Sequence, residues 1–194
     1  MKKGAKRDII RKTKVLEKKM RKSFVKSLCI GAIIAALYTA LTLIAAPLSF
    51  GPVQIRISEA LTVLPAVCPA ATAGLTLGCF ISNIIGFIMG ANPLGVIDAF
   101  VGSAATLLAA LCTAYIGKKV HGGALYALAP LPPVVFNALF IGAELTFIVS
   151  GKPDFMVFII SAAYIALGQA IACYLGGNLL LKGSRGYFEK YLGK

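Results

Sequence analysis

The stretch Leu28-Cys-Ile-Gly-Ala-Ile-Ile-Ala-Ala-Leu-Tyr-Thr-Ala-Leu-Thr-Leu-Ile-Ala-Ala46 carries no charged residue and ends at Pro47. A helix needs about 20 mostly apolar residues to cross the hydrocarbon core of a bilayer, so this run reads as a membrane span. It is too long for the apolar core of a cleavable signal and lacks a cleavage site followed by a soluble domain, so it is expected to stay in place. The rest of the chain reads the same way. Of its 194 residues, 58% are hydrophobic and the mean hydropathy is +0.84, against roughly 45–50% apolar residues in an ordinary soluble domain. Lipid is the solvent for the middle of the chain.

Five further spans follow from the same yardstick. Ser58 to about Cys68 reads as a short or tilted second helix, with a serine cap, Glu59 in its first turn and Pro69 beyond it. The third runs from about Ala71 to Met89 and the fourth from about Val96 to Ile116. In the fifth, about Ala124 to Val149, Pro130, Pro132 and Pro133 predict kinked or delayed first turns. The sixth covers about Phe155 to Leu181. The expected architecture is an all-α integral membrane protein. A compact bundle of six transmembrane helices fills residues 27–182, between a basic segment at 1–26 and a basic tail at 183–194.

The net charge of +13 suggests nucleic acid until it is mapped. Twelve of the 20 Lys and Arg residues lie in Met1 to Lys26, and no aromatic-basic stacking pattern accompanies them as a nucleic-acid groove would require. A cytoplasmic anchor facing anionic membrane lipid is the better reading. Within that segment Ile9, Ile10, Leu16, Met20 and Phe24 recur at helical spacing. It either lies on the membrane surface, or Met1 to Lys19 is an extension with little structure before a start-like Met20. With six spans, 18 of the 20 basic residues share one side and only Arg56 and Lys152 reach the other. The bias of basic residues toward cytoplasmic loops then puts both termini in the cytoplasm.

Metal chemistry finds no support. Cys29, Cys68, Cys79, Cys112 and Cys173 stand singly in apolar stretches and read as small core residues. The lone His121 reads as a solvated loop residue beside Lys118 and Lys119.

Small residues form two ladders. Gly74, Gly78, Ser82, Gly86 and Gly90 line one face of the third helix, and Ala32, Ala36 and Ala40 one face of the first. Small side chains let helix backbones approach closely in lipid. The plain reading is packing inside the bundle; the sharper one is docking to another membrane subunit.

Charged groups within a bilayer cost about 3 kcal/mol on insertion scales and so face a partner, a cavity or a substrate. Glu59, Asp98 and Glu144 all fall toward the outer face in the six-span topology, with Asn83, Asn137 and Gln169 deeper. They are expected to converge on one outward-opening pocket. Plainer readings exist: Glu59 pairs with Arg56, Asp98 is a charge favoured at a helix N-terminus, and Glu144 reaches the interface. Between the first two spans, Val53-Gln-Ile-Arg-Ile-Ser58 alternates apolar and polar residues like an extended strand, turning Gln54 and Arg56 toward the cavity. Phe50, Phe87, Phe100, Phe136 and Phe140 add aromatic surface, most of it for packing or lipid contact.

Four ordered stretches carry a resemblance: Ser49-Phe-Gly-Pro-Val-Gln-Ile-Arg-Ile-Ser-Glu-Ala-Leu61; Gly78-Cys-Phe-Ile-Ser-Asn83; Asp98-Ala-Phe-Val-Gly-Ser-Ala-Ala-Thr-Leu107; and Pro132-Pro-Val-Val-Phe-Asn-Ala138 with Glu144. Over about Phe24 to Leu181 the chain resembles the QueT family of queuosine-precursor transporters. The resemblance implies the substrate-binding S component of an energy-coupling factor importer in a bacterial membrane. Its partners would be a transmembrane coupling subunit and two ATPase subunits, with Ala32, Ala36 and Ala40 as the docking face. No GxxxxGK[ST] phosphate loop occurs, so ATP is left to the partners and this chain is expected to bind no cofactor and to be no enzyme.

The implied cargo is a 7-deazaguanine: queuine, preQ1 or preQ0. Its N–H and neighbouring NH₂ suit a carboxylate, with Glu144 the first choice and Glu59 the second. Asn83, Asn137 and Gln54 carry donors for the ring carbonyl, and Asp98 suits an aminomethyl cation. Phe50, Arg56 and Gln169 complete the candidate set. The competing readings are an S component for a vitamin, a stand-alone carrier or channel, and a small intramembrane enzyme. The last lacks an HExxH helix and a nucleophile paired with histidine.

Overall fold

The computed structural model describes the backbone of residues 2–51 and 54–192, and all of its regular structure is helical. The first helix, α1 (Lys2–Ile44), joins the basic segment to the first span without interruption. No proline falls between Lys2 and Ile44 to break it. One helix about 64 Å long at 1.5 Å per residue therefore carries both the basic segment and the first span. A short α2 (Ala46–Ser49) follows Ala45.

Next come α3 (Ala71–Ile88) and α4 (Val96–Lys119), close to their expected bounds. The fifth span is divided, as its prolines predict, into α5 (Gly123–Leu128) and α6 (Leu131–Ser150). The last is α7 (Phe155–Ala170), a π-helical stretch at Ile171–Gly177, and α8 (Asn178–Leu192). Asp154 caps α7, its side chain accepting from the amides of Met156 at 3.0 Å and Val157 at 3.1 Å. Among the described residues five helices are long and apolar enough to cross a membrane: Leu16–Ile44, Ala71–Ile88, Val96–Lys119, Gly123–Ser150 and Phe155–Ser184. Their outward faces carry bare apolar side chains such as Ile33, Leu111, Phe147 and Leu175, as lipid contact demands. The chain is a multi-pass helical membrane protein.

The arrangement of α1 and α3 controls what lies between them. Gly31 meets Gly74, Ala35 and Tyr38 meet Gly78, and Phe50 meets Gly86. Because these contacts advance together along both helices, α1 and α3 run parallel. The described residues 54–70 then lead back from the end of α1 toward the start of α3. They do so as a 3-10 helix, Ile57–Ala66, rather than the α-helix expected over Ser58 to Cys68. Pro65 lies inside it; in an α turn that ring would clash with the carbonyl four residues back. The tighter winding also covers more depth, about 2.0 Å per residue against 1.5 Å. Ser58 to Ala66 are all buried.

Before that helix, the expected strand is not formed. Among the described connector residues Gln54 has φ 45° and Gln54–Arg56 take no regular structure; Val53 lies outside the described residues. The alternation nevertheless holds for burial. Gln54 and Arg56 are buried while Ile57 is exposed.

The glycine ladder takes its plain reading. Gly74, Gly78, Ser82 and Gly86 are buried against α1 and Phe50, while Gly90 (φ 71°) ends the helix in a turn. The alanine ladder differs: Ala32, Ala36 and Ala40 are exposed, and Gly31, Ile34, Ala35 and Tyr38 face the core instead. Cys29 and Cys112 are also exposed, against the expectation that all five cysteines pack inside.

A Cβ on Gly74 would fall on the Gly31 carbonyl. Gly74→Val should therefore push α1 from α3 and cost about 1–3 kcal/mol, the usual penalty of overpacking. Gly183→Ala, with open space around it, should leave thermal unfolding in detergent unchanged or raise its midpoint.

Candidate functional site

Where α4 begins, a charged pair is sealed into the bundle. Arg56, in extended backbone just before the 3-10 helix, sets Nη2 3.1 Å from Asp98 Oδ2. The two side chains are 3% and 0% exposed. Arg56 Nε donates to the Ser49 carbonyl at 3.1 Å, and the guanidinium lies 5.2 Å from the Phe50 ring centroid, within cation–π range. Asn92 Nδ2 donates to Asp98 Oδ2 at 2.8 Å, and Asn83 Nδ2 to the Asp98 carbonyl at 3.0 Å. Asp98 Oδ1 and Asn83 Oδ1 are buried with no hydrogen-bond partner.

One turn further, Glu59 ties four elements together. Tyr38 of α1 donates its hydroxyl to Oε1, and Asn137 of α6 donates to Oε2 at 3.3 Å. Its backbone carbonyl accepts from Thr62 Oγ1 at 2.6 Å and from Cys173 Sγ, in the π-helical stretch, at 3.4 Å. Cys173 Sγ also lies 3.8 Å from Gln169 Oε1. The sequence allowed a Glu59–Arg56 pair; instead Arg56 takes Asp98, and Glu59 is satisfied by neutral donors.

Glu144 stands apart. It is 8% exposed, both carboxylate oxygens are buried without a partner, and it lines a cavity of about 600 Å³ between α4 and α6. Ile97 and Val101 form one wall, and Leu139, Phe140 and Phe147 the other. A buried carboxylate without donors is costly, so a ligand bringing N–H groups would gain most here. The size falls within the 300–1,000 Å³ usual for small-molecule sites.

The single pocket expected from the sequence thus resolves into two parts. Arg56, Asp98, Asn83 and Phe50 form one sealed network, which continues through Glu59 and Asn137 to Gln169. Glu144 lines a groove beside it, its carboxylate oxygens buried rather than open to that surface. Gln54 is buried in the connector. Three participants escaped the sequence reading: Tyr38, Asn92 and Ser49. Tyr38 was legible as the one aromatic residue in Leu28–Ala46, and Asn92 as a polar side chain within the Gly90–Pro93 turn.

Residues 28–185 match the family described as QueT transporter. The chain belongs to that family. The Queuosine precursor transporter QueT of Lactococcus lactis subsp. cremoris is 34% identical over 91 residues, covering 46% of this chain and 50% of that protein. The match therefore spans half the length of this curated relative. No solved structure matches the chain. The four stretches that carried the resemblance all fall inside the QueT match and supply Arg56, Glu59, Asn83, Asp98, Asn137 and Glu144.

Removing one member of a buried ion pair strands the other charge, at about 3–5 kcal/mol. Arg56→Ala should destabilise this QueT chain by that order, while Arg56→Met with Asp98→Leu should recover most of the loss. Thermal unfolding in one detergent, compared across the three proteins, checks both.

Proposed function

We propose that this chain is the S component of an energy-coupling factor importer. It would capture a 7-deazaguanine queuosine precursor outside the bacterial cytoplasmic membrane for uptake driven by partner ATPase subunits. The observation that carries the reading is Glu144, with two buried, unpartnered oxygens at the wall of an apolar groove. A guanine-like edge offers an N–H and an adjacent NH₂ that one carboxylate accepts as a pair. The apolar walls suit the flat ring. The curated relative is itself named a queuosine precursor transporter.

Six crossings with both termini in the cytoplasm follow from counting the 3-10 helix as a pass, which the parallel run of α1 and α3 supports. The Lys118–His121 loop and both basic ends then share the cytoplasmic side, and Arg56, Asp98 and Glu144 fall in the outer half. The exposed stripe Ala32, Ala36, Ala40 is offered to the transmembrane coupling subunit, since small residues let a partner helix approach closely.

Calorimetry of the detergent-purified chain against queuine, preQ1, preQ0 and a vitamin panel tests the cargo. A deazaguanine should bind and Glu144→Gln should weaken it about 10- to 100-fold, the value of a charge-assisted pair. Binding of a vitamin alone would overturn the reading, as would equal affinity in Glu144→Gln and Asp98→Asn. Ala36→Leu should leave calorimetry unchanged while abolishing copurification of the coupling and ATPase subunits.

A further inference from the structure

The buried 3-10 helix departs from what ten residues ordinarily do. Runs beyond three or four residues are uncommon in 3-10 geometry, and π-helical stretches are rarer still. Here the two lie side by side: Gly176 and Gly177 of the π-helical stretch pack on Ala60 and Val63. Cys173 reaches the Glu59 carbonyl and lies 3.6 Å from Thr62 Oγ1. An overwound helix rests on an underwound one.

Both ends of the 3-10 helix are held against α4. At one, Arg56 pairs with Asp98 at 3.1 Å. At the other, Gly117 admits Ala66 so closely that a Cβ there would overlap the Ala66 carbonyl. Asp98 and Gly117 are 19 residues apart in one α-helix, about 28 Å at 1.5 Å per residue. Ten residues supply about 20 Å in 3-10 form and only about 15 Å in α form. The long Arg56 side chain bridges the remainder in the first case; the α form leaves about 5 Å more to cross. Pro65 opposes the α form from within.

We propose that the 3-10 helix is an extended strut that contracts toward α geometry when its outer tether, Arg56–Asp98, lets go. The inner end stays in the apolar cluster of Val63, Ala66, Leu125, Ala129 and Leu181, so the outer end moves. Contraction draws Glu59 away from Tyr38 and Asn137 and opens the sealed network beside the Glu144 groove. The rare geometries on the two packed segments give the motion a place to go, since the π-helical stretch holds surplus turn that can follow it. The consequence for ligand release rests on the uptake role proposed above; the strut does not.

Pulsed electron–electron resonance on the full chain in lipid nanodiscs tests it, with spin labels at Ile57→Cys and Lys119→Cys and with Cys29 and Cys112 replaced by serine. The parent should give one dominant distance. Asp98→Asn, which weakens the tether, should add a population shorter by up to about 5 Å, the difference in rise over ten residues, and adding Pro65→Ala, which permits the α turn, should enlarge it. Superimposable distributions in all three proteins, each monodisperse and helical, would overturn the proposal. Should the double variant not fold, Asp98→Asn decides alone. Calorimetry with queuine, preQ1 and preQ0 on the spin-labelled parent, whose Asp98 and Glu144 are intact, separates the two claims. A shorter population without binding keeps the strut and removes the ligand reading, and binding without a shorter population does the reverse.

Discussion

A guanidinium and a carboxylate placed inside a lipid-embedded bundle constrain everything around them. Arg56 and Asp98 are shielded from water, and the desolvation of such a pair is recovered only when geometry is good and the remaining donors and acceptors are met. Each neighbour answers that requirement: the Ser49 carbonyl takes Nε, the Phe50 face takes the cation, and Asn92 adds a donor to the carboxylate. The pair joins the connector after α1 to the first turn of α4, so the return pass must begin where it does.

Small residues meet the complementary requirement. Lipid supplies no hydrophobic push between helices, so association depends on close packing and on hydrogen bonds. The Gly31–Gly74 and Ala66–Gly117 contacts bring backbones together at the ends of α1, α3 and α4 nearest the basic termini. Polar side chains do the joining at the opposite end. Glu59 draws donors from α1 and α6 to a single carboxylate. The bundle is thus closely packed on one side of the sealed network and, along α4 and α6, leaves a groove whose one polar residue, Glu144, is unpartnered.

Periodicity and composition made much of this legible. The apolar runs placed most helix limits within a few residues, and the prolines at 130, 132 and 133 marked the break before α6; of the buried polar network, Tyr38, Asn92 and Ser49 were not named. What the runs left open was winding. Ser58 to Cys68 reads as an α-helix by length and cap, because nothing in the spacing of its apolar residues registers the distance its ends must span. The alternation of Val53 to Ser58 likewise reported burial and not conformation, since a turn that buries every second residue leaves the same pattern as a strand.

Partners of the polar groups lay further still from the sequence. Whether Arg56 takes Glu59, three residues away, or Asp98, 42 residues away, depends on which helix passes beside it, and the parallel packing of α1 and α3 determines that. By itself the chain determined its solvent: long uncharged runs cannot be buried in a core of this size, and basic ends cannot enter lipid. Only the tertiary structure decided which carboxylate is paired, which is held by neutral donors and which is buried without a partner. Those outcomes depend on distances between segments far apart in the chain, which local spacing does not encode.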